Sequence, residues 1–210
     1  MYTGLDIVYQ DHAVLVINKH HGLLSVPGRL PENFDSVALR LQQLVNPDLR
    51  IVHRLDCDTS GLMVLAFDAD SHRELSRQFH DREVNKRYQA LVFGQLWPDQ
   101  GRVELPLRYD AERKPRHCVD HLAGKPALTL WQVRERTAEH TRVDLTPWTG
   151  RSHQLRVHML ALGHPIIGDM LYAENEALAA APRLCLHACT LGFTHPSSKE
   201  HLEFQSPIPF

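Results

Sequence analysis

The densest group of chemically competent side chains lies between residues 53 and 61, where the sequence reads His-Arg-Leu-Asp-Cys-Asp-Thr-Ser-Gly. Apolar residues flank it at Ile51-Val52 and at Leu62–Ala66, so its backbone must pass close to the core. A carboxylate buried there without a partner would cost several kcal/mol, so we expect a cation or hydrogen-bond donors beside Asp56 or Asp58. From these residues alone, two interpretations stay open: a reactive carboxylate, or a turn whose polar groups satisfy its own backbone.

A second polar segment, Thr149–His158, leads into a predicted helix. We expect Ser152 to cap this helix and Gly163 to end it. His153 and Arg156 are then three residues apart and point the same way from its polar face. The segment is either a basic substrate-binding surface or the exposed side of an ordinary amphipathic helix. The apolar face comprises Leu155, Met159 and Leu162.

The fifteen histidines and four cysteines raise the question of a metal site. Their spacings match neither an H-E-x-x-H nor a C-x-x-C signature, so we expect no metal. The sequence also has no G-x-S-x-G turn, no P-loop and no G-x-G-x-x-G after a strand. These absences disfavour a serine hydrolase, an NTPase and a dinucleotide-dependent enzyme.

Alternating apolar residues and capping signals predict the elements that must position these two segments. Strands outnumber helices and seldom alternate with them, so the sequence predicts an α+β fold with a central mixed or antiparallel sheet flanked by helices and loops. Helices are expected after Asp35 or Ser36 and after Asp70 or Ser71. Strands are expected at 7–9, 13–17, 88–93, 127–135, 141–146, 184–194 and 201–205, with short strands and loops between 97 and 125.

Length and composition are those of one globular unit, so we expect a single domain over residues 1–210. No apolar run is long enough to cross a bilayer, and the N-terminus has no signal-peptide pattern, so we expect a cytoplasmic protein with reduced cysteines. The net charge of −2 gives no overall basic signature. A local basic face is still possible, because positive residues cluster at 82–87 and at 108–116.

His53–Asp56 followed by Thr59–Gly61 resembles the signature of the RluA family of pseudouridine synthases. Three further blocks occur in the family's order, at Lys86–Tyr88, Gly150–His158 and Arg183–Ala188. The resemblance covers about residues 7–209. It implies the pseudouridine synthase catalytic fold and an isomerase that converts specific uridines in structured RNA to pseudouridine, without a cofactor.

The resemblance also assigns roles to individual residues. Asp56 matches the family's catalytic carboxylate, and Arg156 matches the cation that keeps it ionised, a task that suits a planar guanidinium. Tyr88 matches the active-site tyrosine, which can stack on uracil and exchange a proton. Arg54 matches the residue that enters the space left by a flipped base. Lys86, Arg151, His153 and Leu186 are expected to contact the substrate or support the site.

Within the family, residues 22–29 and 158–165 look most similar to members that act on both 23S rRNA and tRNA. No N-terminal S4-like RNA-binding domain is expected, so the catalytic domain itself must recognise the RNA, acting as a monomer. One departure is His20, where the family has proline after Asn-Lys. The alternatives are a non-catalytic RNA-binding module on the same fold and an unrelated sugar or nucleotide hydrolase that uses Asp56.

Overall fold

The structure, a computed structural model, describes residues 4–210. Their contacts form two compact units. The first comprises the described residues up to Lys86 together with Ala188–Pro209, and the second comprises Arg87–His187 together with Phe210. A single domain over residues 1–210 stays a prediction.

Twelve strands and four α-helices are found within residues 4–210. The strands are β1 (Leu5–Gln10), β2 (Val14–Lys19), β3 (Arg50–Ile51), β4 (Ser60–Ala66), β5 (Asn85–Phe93), β6 (Gln100–Glu104), β7 (Leu107–Tyr109), β8 (His117–Val119), β9 (Leu128–Arg136), β10 (His140–Pro147), β11 (Leu186–Thr194) and β12 (His201–Gln205). The helices are α1 (Val37–Leu44), α2 (Ala69–Asp81), α3 (Gln154–Ala161) and α4 (Asn175–Ala179). These elements confirm the predicted α+β class.

In the first unit, β2 lies between β1 and β4, and all three strands are antiparallel. Asp11 makes the turn before β2, because its side chain accepts hydrogen bonds from the backbone N–H groups of Ala13 and Val14, both at 2.8 Å. Every residue of β4 is buried. The apolar side chains of β2 and β4 pack with Leu75 of α2 and Phe193 of β11. The core therefore lies directly beside the 53–61 segment that leads into β4.

In the second unit, β10 lies between β5 and β9, and β9 also pairs with β6, again with every pair antiparallel. Helix α3 packs its Leu155 and Met159 onto the core of this sheet. The predicted strands at 88–93, 127–135 and 141–146 are confirmed as β5, β9 and β10. Strands β7 and β8 form a separate two-stranded hairpin within the 97–125 region.

The predicted N-caps of α2, Asp70 or Ser71, and of α3, Ser152, are both wrong. Helix α2 is capped by Asp68, whose side chain accepts from Asp70 and Ser71 N–H at 2.9 and 2.8 Å. Helix α3 begins at Gln154, and its N-cap is His153 and not Ser152. His153 has a left-handed φ of 55° and makes no capping hydrogen bond. The first prediction failed because two adjacent polar residues follow the true cap. No helix among residues 4–210 is long and apolar enough to span a membrane.

Candidate active site

The loop that carries Asp56 connects β3 to β4 in the first unit and is held on both sides of that residue. On one side, the buried Ser25 hydroxyl lies 2.7 Å from the Leu55 carbonyl, to which it donates, and accepts from the Leu55 N–H at 3.0 Å. Leu55 itself is buried. Because both backbone groups of Leu55 are hydrogen-bonded to Ser25, the backbone positions of the neighbouring Arg54 and Asp56 are also fixed.

On the other side of Asp56, the carbonyl of Cys57 accepts from the Lys19 ammonium at 2.8 Å and from the Gly22 N–H at 3.0 Å. The Lys19 side chain is fully buried, and it also donates to the carbonyls of His20 and Leu23. A buried ammonium is tolerated when its three donors are satisfied. Lys19 therefore fastens the loop of Asp56 to the segment that follows β2.

His53 supports this loop and is not an acid–base group at neutral pH. Its ring stacks on Phe79 of α2, with centroids 4.4 Å apart, and its Nε2 accepts from the Val64 N–H at 3.1 Å. Burial, with a smaller contribution from the charge of Lys86, lowers the pKa of His53 to about 3. The imidazole is therefore neutral, as its hydrogen bond requires.

Lys86 contacts the same aromatic ring. Its ammonium is 5.6 Å from the centroid of Phe79, within the range of a cation–π contact. Burial lowers the pKa of Lys86. Phe79 thus connects Lys86 to His53, and through it to the loop that carries Arg54 and Asp56.

Arg54 is exposed on this loop, and Asp56 and Asp58 are half-buried. The loop closes with a hydrogen bond from the Thr59 N–H to the Asp56 carbonyl, at 3.2 Å. Gly61 lies near the start of β4 with a φ of +123°, and a Cβ at this position would clash with the backbone of Ala188. Only glycine fits this position, because both the φ angle and the close backbone approach exclude a side chain.

Arg156 is the most buried cation of the second unit. Its side chain is 2% exposed, and its guanidinium makes two parallel hydrogen bonds to the fully buried carboxylate of Asp169. Asp169 Oδ1 also accepts from the N–H groups of Leu171 and Tyr172, at 2.9 and 3.2 Å. The two-pronged geometry fixes the plane of the guanidinium as well as its position.

Tyr172 connects Arg156 to His153. The ring of Tyr172 lies 5.1 Å from the central carbon of the Arg156 guanidinium. Its hydroxyl accepts from the His117 N–H at 2.7 Å and lies 2.7 Å from Nδ1 of His153. Two of the residues predicted for the site, His153 and Arg156, therefore meet at one tyrosine. No role was assigned to Asp169 or Tyr172 from the sequence.

His153 and Arg156 both contact Tyr172, as expected of side chains that point the same way, but the alternative of an exposed amphipathic face on α3 is wrong. Residues 154–159 are all buried. Gln154 donates to the Leu128 carbonyl and to Thr129, both at 3.0 Å, and the His158 ring makes contacts of 2.9 and 3.1 Å with Thr129 and the Leu105 carbonyl. The polar side chains of this helix are partnered by residues distant in the sequence, which periodicity alone cannot show.

Tyr88 is half-buried on β5 and packs against the apolar core of the second unit. Arg151 is exposed, and its Nε donates to the Pro126 carbonyl at 3.2 Å. Leu186, at the start of β11, is 2% exposed and belongs to the same core. Tyr88 and Arg151 are thus accessible from solvent, whereas Leu186 presents little surface.

Within residues 4–210, no group of three or more His, Cys, Asp or Glu side chains is arranged to hold a metal ion. None of the four cysteines, all within residues 4–210, forms a disulfide.

A family model described as "RNA pseudouridylate synthase" matches residues 13–161. The chain is 53% identical over 207 residues to the dual-specificity RNA pseudouridine synthase RluA of Pasteurella multocida (strain Pm70), and 52% identical to that of Escherichia coli (strain K12). In both cases the match covers 98% of this chain and 94% of the relative. The solved structure of human RNA pseudouridylate synthase domain containing 1 superposes with a TM-score of 0.82 at 32% identity, covering 100% of this chain and 86% of that chain.

Proposed function

This chain belongs to the family of RNA pseudouridylate synthases, and we propose that it isomerises specific uridines to pseudouridine in stem-loops of both 23S rRNA and tRNA. The observation that carries this proposal is the identity of 52–53% over 98% of the chain to relatives named as dual-specificity enzymes. Identity of this extent over nearly the whole chain supports a shared substrate class as well as a shared reaction.

The reaction breaks the bond between N1 of uracil and C1′ of ribose, turns the base, and joins C5 to C1′. A proton leaves C5 and a proton is added at N1, so the composition and oxidation state of the nucleoside do not change. No cofactor is therefore required by the chemistry. The protein must hold the detached base, stabilise charge that develops on the sugar or base, and exchange protons.

We assign the covalent role to Asp56, because a carboxylate can act as a nucleophile. The held backbone on both sides of it supports this assignment, since a reacting group needs a defined position. Arg156 is assigned as the cation for the ionised carboxylate. Asp169 supports this assignment by fixing the plane of the guanidinium.

Tyr88 is assigned to stack on uracil and to exchange a proton with it, and the exposed Arg54 is assigned to occupy the space left by the flipped base. Lys86, Arg151 and His153 are assigned to phosphates or to support of the site, and Leu186 to contact with the base. In this proposal residues 1–210 act as one monomeric catalytic domain in the cytoplasm.

The test uses the proton that leaves C5. Transcripts of tRNA and of 23S rRNA labelled with [5-³H]uridine should each release tritium to water when incubated with the purified protein, and sequencing should locate pseudouridine at defined positions. RNA binding without tritium release would support the non-catalytic alternative. Release from one transcript class only would reduce the proposal to a single specificity. Free uracil or ribose ends in the RNA would indicate a hydrolase.

A further inference from the structure

A positively charged surface lies on the sheet of the second unit, on the face opposite Tyr88. It is a groove of about 490 Å³ that runs over β5, β10, β9 and β6. Successive side chains of a strand point to opposite faces, so Arg87 and Tyr88 leave β5 on opposite sides. The groove is lined by Arg87, Arg102, Arg134, Gln100, Gln132, Leu130 and Asp144, among others.

Asp144 organises the arginines of this groove. Its side chain is 7% exposed, and one of its oxygens accepts from Arg134 Nε at 2.7 Å and lies 3.6 Å from a guanidinium nitrogen of Arg87. The other oxygen accepts from the Gln89 amide at 3.0 Å. Arg87 and Arg134 remain 42% and 43% exposed. One buried carboxylate thus holds two accessible guanidinium ions in place, which lowers the entropy lost when they bind a ligand.

Arg102 adds a third guanidinium at the edge of the groove. It is exposed on β6, directly opposite Leu130 of β9, and it makes no salt bridge with any residue of the described range 4–210. Glu104 is two residues further along β6, on the same face. The lining nevertheless contains three arginines and one aspartate, so positive charge is in excess within a chain whose net charge is −2.

We propose that this groove, defined by Arg87, Arg102, Arg134 and Asp144, binds the phosphate backbone of the RNA substrate outside the loop that contains the target uridine. Planar guanidinium ions suit phosphate oxygens, and the exposed amides of Gln100 and Gln132 add neutral hydrogen-bond donors. The inference rests on the proposed function only for the choice of RNA as the ligand.

The geometry requires an RNA longer than a minimal substrate. From β5 to β6 the sheet spans three strand spacings, or about 14 Å, and the groove faces the opposite side from Tyr88. If the target uridine binds at Tyr88, we expect only an RNA with a body beyond its stem-loop, such as a tRNA, to extend around the β6 edge to the groove. The groove therefore contributes affinity for long RNA and not for the isolated stem-loop.

The test compares Arg102→Gln with Arg73→Gln, a matched loss of one exposed positive charge on α2. Dissociation constants are measured by fluorescence anisotropy between about 50 and 200 mM KCl. For full-length tRNA, Arg102→Gln should lower the slope of log Kd against log salt by about 0.9 and raise Kd at 0.1 M salt about eightfold. Arg73→Gln should change neither quantity, and the short stem-loop should respond to neither variant.

Equal effects of the two substitutions on tRNA, or an equal loss for tRNA and the short stem-loop, would overturn the inference. Arg102→Glu provides a second variant with a larger expected loss for tRNA. Unchanged thermal unfolding would show that the variants are folded. Binding needs no turnover, so this experiment is independent of the tritium-release assay. If the wild type releases tritium but Arg102→Gln binds tRNA as tightly as the wild type does, the proposed role of the groove is wrong and the proposed function is unaffected.

Discussion

Replacing Asp169 with alanine should destabilise the second unit more than any loss of an exposed ion pair. The substitution removes the two carboxylate oxygens of Asp169 that accept from the Arg156 guanidinium, which is 2% exposed, and also removes the acceptor of the Leu171 and Tyr172 N–H groups. Removing one partner of a buried ion pair costs about 3–5 kcal/mol, because the other charge stays buried. We therefore expect Asp169→Ala to lower the free energy of unfolding by about 4 kcal/mol.

Urea unfolding followed by tryptophan fluorescence measures this effect in the appropriate unit, since Trp97, Trp131 and Trp148 all lie there. The matched control is Asp99→Ala, which breaks an ion pair with Arg136 in which the carboxylate is 77% exposed. This control should cost at most about 1 kcal/mol.

The double variant Asp169→Ala, Arg156→Leu separates a buried charge from a lost contact. It removes both charges, so it should be more stable than Asp169→Ala alone, although it lacks more of the native interactions. A cost of Asp169→Ala no larger than that of Asp99→Ala, or strictly additive losses in the double variant, would refute this reasoning.

Three further predictions concern the loop of Asp56. Gly61→Ala should lower the free energy of unfolding by about 2 kcal/mol or more. Gly150→Ala is the control and should leave it nearly unchanged, because nothing lies within 4 Å of a Cβ at that position. Equal losses of stability would argue against the close approach of Ala188 to Gly61. The pKa of His53 is about 3 in the folded protein and about 6.5 in the unfolded chain. As the pH falls below about 6.5, the unfolded chain therefore takes up this proton and the folded protein does not. The free energy of unfolding should then decrease by about 1.4 kcal/mol for each pH unit. His53→Gln should flatten that slope, and an unchanged slope would exclude His53 as its source. Arg54→Ala should slow single-turnover pseudouridine formation more on a structured stem-loop than on a short single strand, because only the stem-loop must lose base stacking to extrude its uridine. Equal losses of rate on the two RNAs, with unaltered fluorescence of an adjacent 2-aminopurine, would exclude a flipping role for Arg54.

Local signals in the sequence predicted the elements well. Ser36 caps α1, accepting from the Leu39 N–H at 3.2 Å, as its residue type indicated. The alternating strands β5, β9 and β10 occur where expected, because one face of each is buried against the core. Each of these predictions depended on residues close together in the chain.

The organisation of the candidate site depends on residues far apart in the chain and was not predicted. The Leu55 backbone is held by Ser25, thirty positions earlier, and the partner of Arg156 is Asp169, thirteen positions later. Periodicity predicts that Arg156 lies on a polar face of α3, but it does not show that Asp169, beyond the end of the helix, pairs with it. The family resemblance identified which residues to assign, and the structure identified the neighbours that hold them.

The central claim, that Asp56 performs the isomerisation, is tested most directly by comparing Asp56→Asn with Asp58→Asn. Both substitutions remove one half-buried carboxylate from the same loop and keep the side-chain shape. Tritium release from a [5-³H]uridine stem-loop is measured together with RNA affinity. Asp56→Asn should release no tritium while binding RNA as the wild type does, and Asp58→Asn should retain most of the activity. Release by Asp56→Asn at close to the wild-type rate would contradict the assignment of Asp56.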